Sequence, residues 1–298
     1  MRNVSVSAKV YMSVTNLAKQ RGTILDEIMR HHREQLPKIM REIPLADLRA
    51  HALFAPPPVD FAAALRLPGL SLIAECKKAS PSKGLLAPEY DPVHLATTYV
   101  RAGARAISVL TDGRHFQGSL EHLRDVKEAL SDLDKLVIGK SDPRLKIGLP
   151  VLRKDFIFHP YQVYEARVAG ADAVLLIAAV LGPNDMKELL ALTHQLGMNA
   201  LIEVHTAAEV ERILPLNPRI IGINNRNLQT FAVDFDNTAR LRQLIPTDVL
   251  VVGESGIQTT DDVRQMKNSG ANAILVGETF VKSKDLFKTV QSFVKAGH

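Results

Sequence analysis

Eight short apolar runs follow residue 70 at fairly regular intervals: "SLIAECKK", "AISVLTD", "PVLRKDF", "AVLLIAA", "ALIEVH", "IIGINNR", "VLVVGES" and "AILVGET". Helix-like stretches lie between them, at 92–102, 160–169, 184–196, 206–214 and 258–268. Several end at Gly103, Gly170, Gly197 or Gly270, where a left-handed cap would fall. Strands this uniformly apolar belong to a parallel sheet covered on its outside. Eight such units in about 230 residues match a closed α/β barrel of the (β/α)8 type. A doubly wound open sheet is the alternative. Its first strand usually leads into a glycine-rich loop, whereas here the loop reads "KASPSKG".

Ahead of the barrel, "TILDEIMRHHREQL" spaces its apolar residues as a helix does, and Thr23 with Asp26 forms an imperfect capping pair. Pro37 is expected to end or kink that helix. A second short helix is expected after Pro44, and "APPPVD" at 55–60 reads as a linker. The expected organisation is one domain: a loose N-terminus over 1–22, a helical extension over 23–68 and a catalytic barrel over 69–298. Residues 131–149 form a longer connection than the fold needs.

A chain of 298 residues that is 46% hydrophobic and 23% charged has the makeup of a soluble globular protein. No run approaches ~18 uncharged apolar residues, so no membrane association is expected. The formal charge is +5, but Lys and Arg are scattered among acids without an aromatic ladder. That argues against nucleic acid and leaves a few cations for an anionic small substrate. The single Cys76 fits a reducing compartment, and alternation turns it to the opposite strand face from Glu75 and Lys77. A cytoplasmic location is expected. The lack of acidic residues in 1–25 leaves organellar targeting as an alternative.

Active residues in such barrels come from the C-terminal strand tips. Here the tips carry Glu75 and Lys77, Thr111 and Asp112, Lys154 and Asp155, then Glu203, Asn224 with Arg226, and Glu254 with Ser255. Any one of them could be a wet strand end. Converging on one mouth, Glu75, Glu203 and Glu254 would balance Lys77, Lys154 and Arg226, an arrangement suited to proton transfer. "GESGI" and "VGET" place Gly256 and Gly277 after strands seven and eight, where this fold often holds phosphate, although each glycine could equally be a turn residue. The loop "KASPSKG" offers Ser80 and Ser82 with Gly84 as a hinge, and reads either as a cover for the mouth or as an ordinary flexible loop. His31, His32, His115 and His122 show no metal-ligand spacing and read as helix-surface or loop residues.

Taken together, "ECKKASPSKG", "LTDGRHFQGS", "LRKDF", "GADAVLLIAAVLG", "LIEVHT", "IGINNRNLQTF", "VGESGI" and "AILVGET" resemble the indole-3-glycerol phosphate synthase family over about residues 23–285. The resemblance implies a (β/α)8 barrel with an N-terminal helical extension. It implies a carboxy-lyase of tryptophan biosynthesis that closes, decarboxylates and dehydrates 1-(2-carboxyphenylamino)-1-deoxyribulose 5-phosphate, with no cofactor and no metal. By motif, Lys154 resembles the general acid of ring closure, and Lys77 a second lysine that contacts the carboxylate and assists dehydration. Glu203 resembles an acid/base on the leaving hydroxyl, and Glu75 a proton acceptor beside Lys77. Asn224, Glu254 and Ser255 resemble groups that orient the sugar hydroxyls, with Arg226 in support. Ser80, Gly256, Gly277 and Glu278 match phosphate positions. Pro81, Phe116, Phe156, Leu175 and Leu228 match an apolar wall for the aromatic ring. Gly113 departs from the family pattern, in which many relatives carry an acid.

Two rival readings remain at this point. Phosphoribosylanthranilate isomerase would share the glycine sites but need a different acid/base pair. A noncatalytic scaffold or nucleic-acid binder is suggested only by the basic charge. Contacts with other enzymes of the same pathway are open.

Overall fold

The apolar runs form the strands β1 Ser71–Cys76, β2 Ala106–Leu110, β3 Val151–Lys154, β4 Ala173–Ile177, β5 Asn199–Val204, β6 Ile220–Asn224, β7 Leu250–Glu254 and β8 Ala273–Val276. In the computed structural model, which describes residues 22–133, 142, 144–227 and 232–298, they close into a parallel barrel in which β1 pairs with both β2 and β8. The open-sheet alternative is thereby excluded. Alternation sorts each strand into two faces. Ile73, Leu152, Leu201 and Val252 pack inside the barrel, while Leu72, Val151, Ile202 and Val251 pack outward against the surrounding helices. The helix-ending glycines Gly103, Gly170, Gly197 and Gly270 all take positive φ.

The N-terminal helix spans Ile24–Glu42, with Thr23 and Asp26 forming a complete capping box. Pro37 does not end it: the helix continues for five more residues. Proline removes one helical hydrogen bond, but side chains on both sides of it are anchored: Leu36 is buried with Leu48 and Tyr161, and Met40 packs against the same cluster. A second helix follows at Leu45–Phe54, and Arg167 Nη2 holds the linker through the carbonyls of Ala55 (2.8 Å) and Pro56 (2.6 Å). Part of the long connection is helical, Arg144–Ile147, and Arg144 Nη1 donates to the carbonyl of Val100 at 2.8 Å. Residues 134–141 and 143 of that connection, like residues 1–21, lie outside the described residues. Among the described residues, no helix is long and apolar enough to cross a membrane.

The short helix Phe61–Leu65 closes the N-terminal end of the barrel. Asp60 caps it through the Ala63 N–H at 3.1 Å, and Phe61, Ala62 and Leu65 join the interior cluster with Ile73, Leu152 and Ile220. Phe61 is fully buried. Phe61→Ala is expected to cost about 3–5 kcal/mol of stability, read by urea unfolding. A cost below about 1 kcal/mol would mean that the barrel floor is not packed as described.

Candidate active site

The strand register brings the tip residues together. Glu75 pairs with Ser108 on β2, and Ser108 with Leu152 on β3, two residues before Lys154. Leu175 on β4 pairs with Leu201 on β5, two before Glu203. Glu203 pairs with Gly222, and Gly222 with Val252, two before Glu254. Glu254 pairs with Leu275, and Leu275 with Ile73, two before Glu75. In a tilted eight-stranded barrel this two-residue step per pair of strands is what defines a layer. Glu75, Lys154, Glu203 and Glu254 are therefore one layer, contributed by β1, β3, β5 and β7. The same stepping puts Leu110, Ile177, Asn224 and Gly277 in the layer above, and Ser108, Leu175, Gly222 and Leu275 in the layer below.

A charged layer survives here because each charge has a partner. Lys154 Nζ lies 3.2 Å from Glu203 Oε2 and 3.5 Å from Glu254 Oε2. Lys77 Nζ lies 2.5 Å from Glu75 Oε1. Burial disfavours the Lys154 ammonium, but Glu203, Glu254 and Glu75 outweigh it and hold its pKa above that of an ordinary lysine. The two glutamates flanking it diverge. Glu254 is pushed up to about 8 by burial, with Glu203 and Glu75 adding to the rise, and its Oε1 meets no hydrogen-bond partner among the described residues. Burial acts on Glu203 too, but Lys154, His205 and a 3.1 Å hydrogen bond from Asn224 Nδ2 bring it below its usual range. The simple balance of three against three is corrected accordingly: Glu254 keeps a proton near neutrality, which leaves the cluster better disposed to an anion.

Two glycines make room for the carboxylates. A Cβ on Gly222 would collide with Glu254 Oε1, and one on Gly277 would sit 2.6 Å from Glu75 Oε1. Gly277 has an ordinary negative φ, so the space it leaves, rather than backbone freedom, requires glycine. By contrast, Ser255 and Gly256 both take positive φ, at 68° and 85°, and turn the chain back across the mouth.

Above the layer lies a cavity of about 520 Å³, within the range of small-molecule sites. Its polar lining includes Lys77, Ser80, Arg226, Ser255, Gly256 and Glu278, and its apolar lining Pro81, Phe116, Phe156 and Leu175. The Phe116 and Phe156 rings lie 6.2 Å apart. Leu228 lies outside the described residues. The Thr279 hydroxyl donates to the Ile257 carbonyl at 2.6 Å, tying the loops after β7 and β8 together. Glu278 is held below its usual range: burial opposes this, but a 2.5 Å contact with Lys282, together with Lys77 and Arg226, prevails. A carboxylate thus sits among three cations. The segment after β1 is a small hairpin, Ala79–Ser80 against Gly84–Leu85, rather than an irregular loop, and Ser80 Oγ is buried with no partner among the described residues. Cys76 faces away into the outer core, donating to the Pro92 carbonyl at 3.7 Å.

Several lining residues escaped the sequence reading. Ile24, Leu25 and Ile28 reach the cavity from the N-terminal helix, and Lys282 from beyond β8. His32 is no surface residue: its Nε2 lies 2.7 Å from Asp112 Oδ2, latching the extension to β2. Asp112 also caps the turn Gly113–Phe116, accepting from the His115 N–H at 2.5 Å and the Phe116 N–H at 3.0 Å. Asp155 borders the cavity but is engaged behind it, accepting from Arg153 Nη2 at 2.9 Å and from the Thr111 hydroxyl at 2.6 Å. Among the described residues, no group of three or more His, Cys, Asp or Glu could hold a metal.

The shifted Glu254 makes a prediction. Its folded pKa, raised from 4.5 to about 8, gives stability that is present at low pH and lost as pH rises through that range. Glu254→Gln cannot ionise, so its stability relative to wild type should improve between pH 5 and 8.5, by an amount on the order of 4 kcal/mol. Melting curves across that range check it, and a pH-independent difference would contradict it.

The chain matches the family model for indole-3-glycerol phosphate synthase over residues 25–293. It is 48% identical over 264 residues to an indole-3-glycerol phosphate synthase of Dehalococcoides mccartyi strain BAV1, covering 88% of this chain and 96% of that one. It is 50% identical over 272 residues to one from Roseiflexus sp. strain RS-1, covering 90% and 97%. Among solved structures, a thiamine phosphate pyrophosphorylase from Pyrococcus furiosus superimposes with a TM-score of 0.55 at 14% identity over 76% of this chain and 95% of that one, which speaks to the fold alone. The layered charges at the barrel mouth therefore sit in a chain that belongs to the indole-3-glycerol phosphate synthase family.

Proposed function

We infer that the protein converts 1-(2-carboxyphenylamino)-1-deoxyribulose 5-phosphate to indole-3-glycerol phosphate, CO2 and water. The observation that carries the reading is the Lys154 ammonium held between Glu203 and Glu254 beside the Glu75–Lys77 pair, in a chain of this family. The ring carbon bearing the carboxylate attacks the ketone carbon, and Lys154 gives its proton to the ketone oxygen. An ammonium with a raised pKa is a weak acid towards a ketone, but the oxygen becomes strongly basic as the new bond forms, so the transfer is favourable where it is needed. The electron pair of the C–CO2 bond then restores the aromatic ring as CO2 leaves. Dehydration removes the hydroxyl as water, with Lys77 supplying its proton, while an ionised glutamate, Glu75 or Glu203, accepts the proton lost from the adjacent methylene carbon.

The rest of the cavity suits the substrate. Lys282 pairs with the Glu278 carboxylate and Lys77 and Arg226 act on it electrostatically, and the phosphate is proposed to take that end, held by Ser80 and by backbone donors at Gly256, Gly277 and Glu278. Asn224 and Ser255, which line the cavity, are assigned to the sugar hydroxyls, and Glu254, retaining its proton, can donate to one. Pro81, Phe116, Phe156 and Leu175 offer an apolar face to the aromatic ring. Incubating the protein with this substrate should produce indole fluorescence together with one equivalent of CO2. Absence of both from folded protein would overturn the reading.

A further inference from the structure

Two residues beyond Glu203, His205 occupies the end of β5 on the same side of the chain, behind the cavity rather than in its lining. Its side chain is 12% exposed. Nε2 lies 3.4 Å from Glu203 Oε1, and Nδ1 lies 3.6 Å from Glu209 Oε2. Glu209 is itself fixed, accepting from the His205 N–H at 2.6 Å, while its own N–H donates to the Thr206 hydroxyl that caps helix Ala207–Ile213. Asn237 Nδ2 donates to the His205 carbonyl at 3.2 Å, holding the backbone from the far side. The imidazole thus lies between two carboxylates at ion-pair distance, and neither nitrogen makes a hydrogen bond among the described residues.

We propose that His205 is a positioning residue for this reaction: as an imidazolium it fixes Glu203 Oε1, leaving Oε2 to Lys154, and supplies the second positive charge that flanks this carboxylate. The inference rests on the acid/base reading of Glu203. Facing the ring are Glu203 from β5 and Glu209 from its own following helix, with Glu254 of β7 at longer range; Lys154 meets Glu203 from the opposite side. Burial disfavours the charged ring, yet the Glu209 and Glu203 carboxylates prevail and raise its pKa above that of an ordinary histidine. The two carboxylates thus favour the imidazolium over the neutral ring.

The test compares His205→Gln, His205→Lys, Glu209→Gln and Glu203→Gln by steady-state kinetics from pH 5 to 9, with melting curves as a check on folding. Without the neighbouring cation Glu203 binds its proton more tightly. H205Q should therefore lose about tenfold in kcat near neutrality, with KM within about twofold, and its acid limb should move up by about one pH unit. H205K restores the charge and should recover both. In wild type, the one imidazole NMR signal missing from H205Q should titrate above about pH 6.5, and lower in E209Q. Unchanged kcat and pH profile in H205Q, or an imidazole that titrates below about 6.5, would overturn the proposal. If H205Q does not fold, the E209Q titration decides. Normal turnover by E203Q would instead remove the reading on which it rests, whereas an impaired E203Q beside a normal H205Q would sink the His205 role alone.

Discussion

Lys154→Ala is expected to lower kcat by about 10²–10⁴-fold, the range for loss of a general acid. The alanine variant alone is ambiguous. It takes away the cation shared by Glu203 and Glu254, at 3.2 and 3.5 Å, and those carboxylates would take up protons to relieve the loss. Lys154→Arg separates the two effects. A guanidinium keeps the positive charge between the glutamates but does not release a proton in the working pH range. It should bind substrate comparably and still turn over at least about 10²-fold more slowly. Single-turnover fluorescence, with binding measured by calorimetry, reads both quantities. An arginine variant within about tenfold of wild type would mean that Lys154 acts through its charge, and that ring closure takes its proton from elsewhere.

Much of the architecture was legible because strand and helix periods are local. Eight apolar runs gave eight strands, and four glycines at helix ends took positive φ. Pro37 does not end its helix, and the reason was hidden, because the sequence shows the missing hydrogen bond but not Leu36 and Met40 packed with Tyr161 and its neighbours across the extension. The tip residues were legible singly. That Glu75, Lys154, Glu203 and Glu254 share a layer was not, since it depends on the stagger accumulated around the closed barrel. The divergence of Glu203 and Glu254 was hidden for a related reason: both stand at strand tips, yet only Glu203 meets Asn224 and His205. The N-terminal helix's share of the cavity, through Ile24, Leu25 and Ile28, had no signal beyond helical spacing. His32 could have been suspected only by asking what Asp112 needs.

Removing the phosphate from the substrate is expected to lower kcat/KM by about 10³-fold or more. Hydrogen bonds to a charged group contribute roughly 1.5–3 kcal/mol each, so three donors supply about 4.5 kcal/mol or more. At the proposed phosphate end Lys282 pairs with the Glu278 carboxylate at 2.5 Å, Lys77 and Arg226 act on it at longer range, and the buried Ser80 hydroxyl meets no partner among the described residues. Changing the glycines would be a poor test. A side chain on Gly277 strikes Glu75, and one on Gly256 strikes Val233 at a backbone angle that already disfavours it, so either variant would lose activity for reasons unrelated to an anion. The dephosphorylated analogue leaves the protein untouched. If the handle binds equally well in ground and transition states, the loss falls on KM; if it holds the ring carbon against the ketone, kcat falls too. Inorganic phosphate should compete with the full substrate but not with the analogue's residual turnover. Equal kcat/KM for both substrates would place the phosphate in solvent and remove the reason for three cations at that end of the cavity.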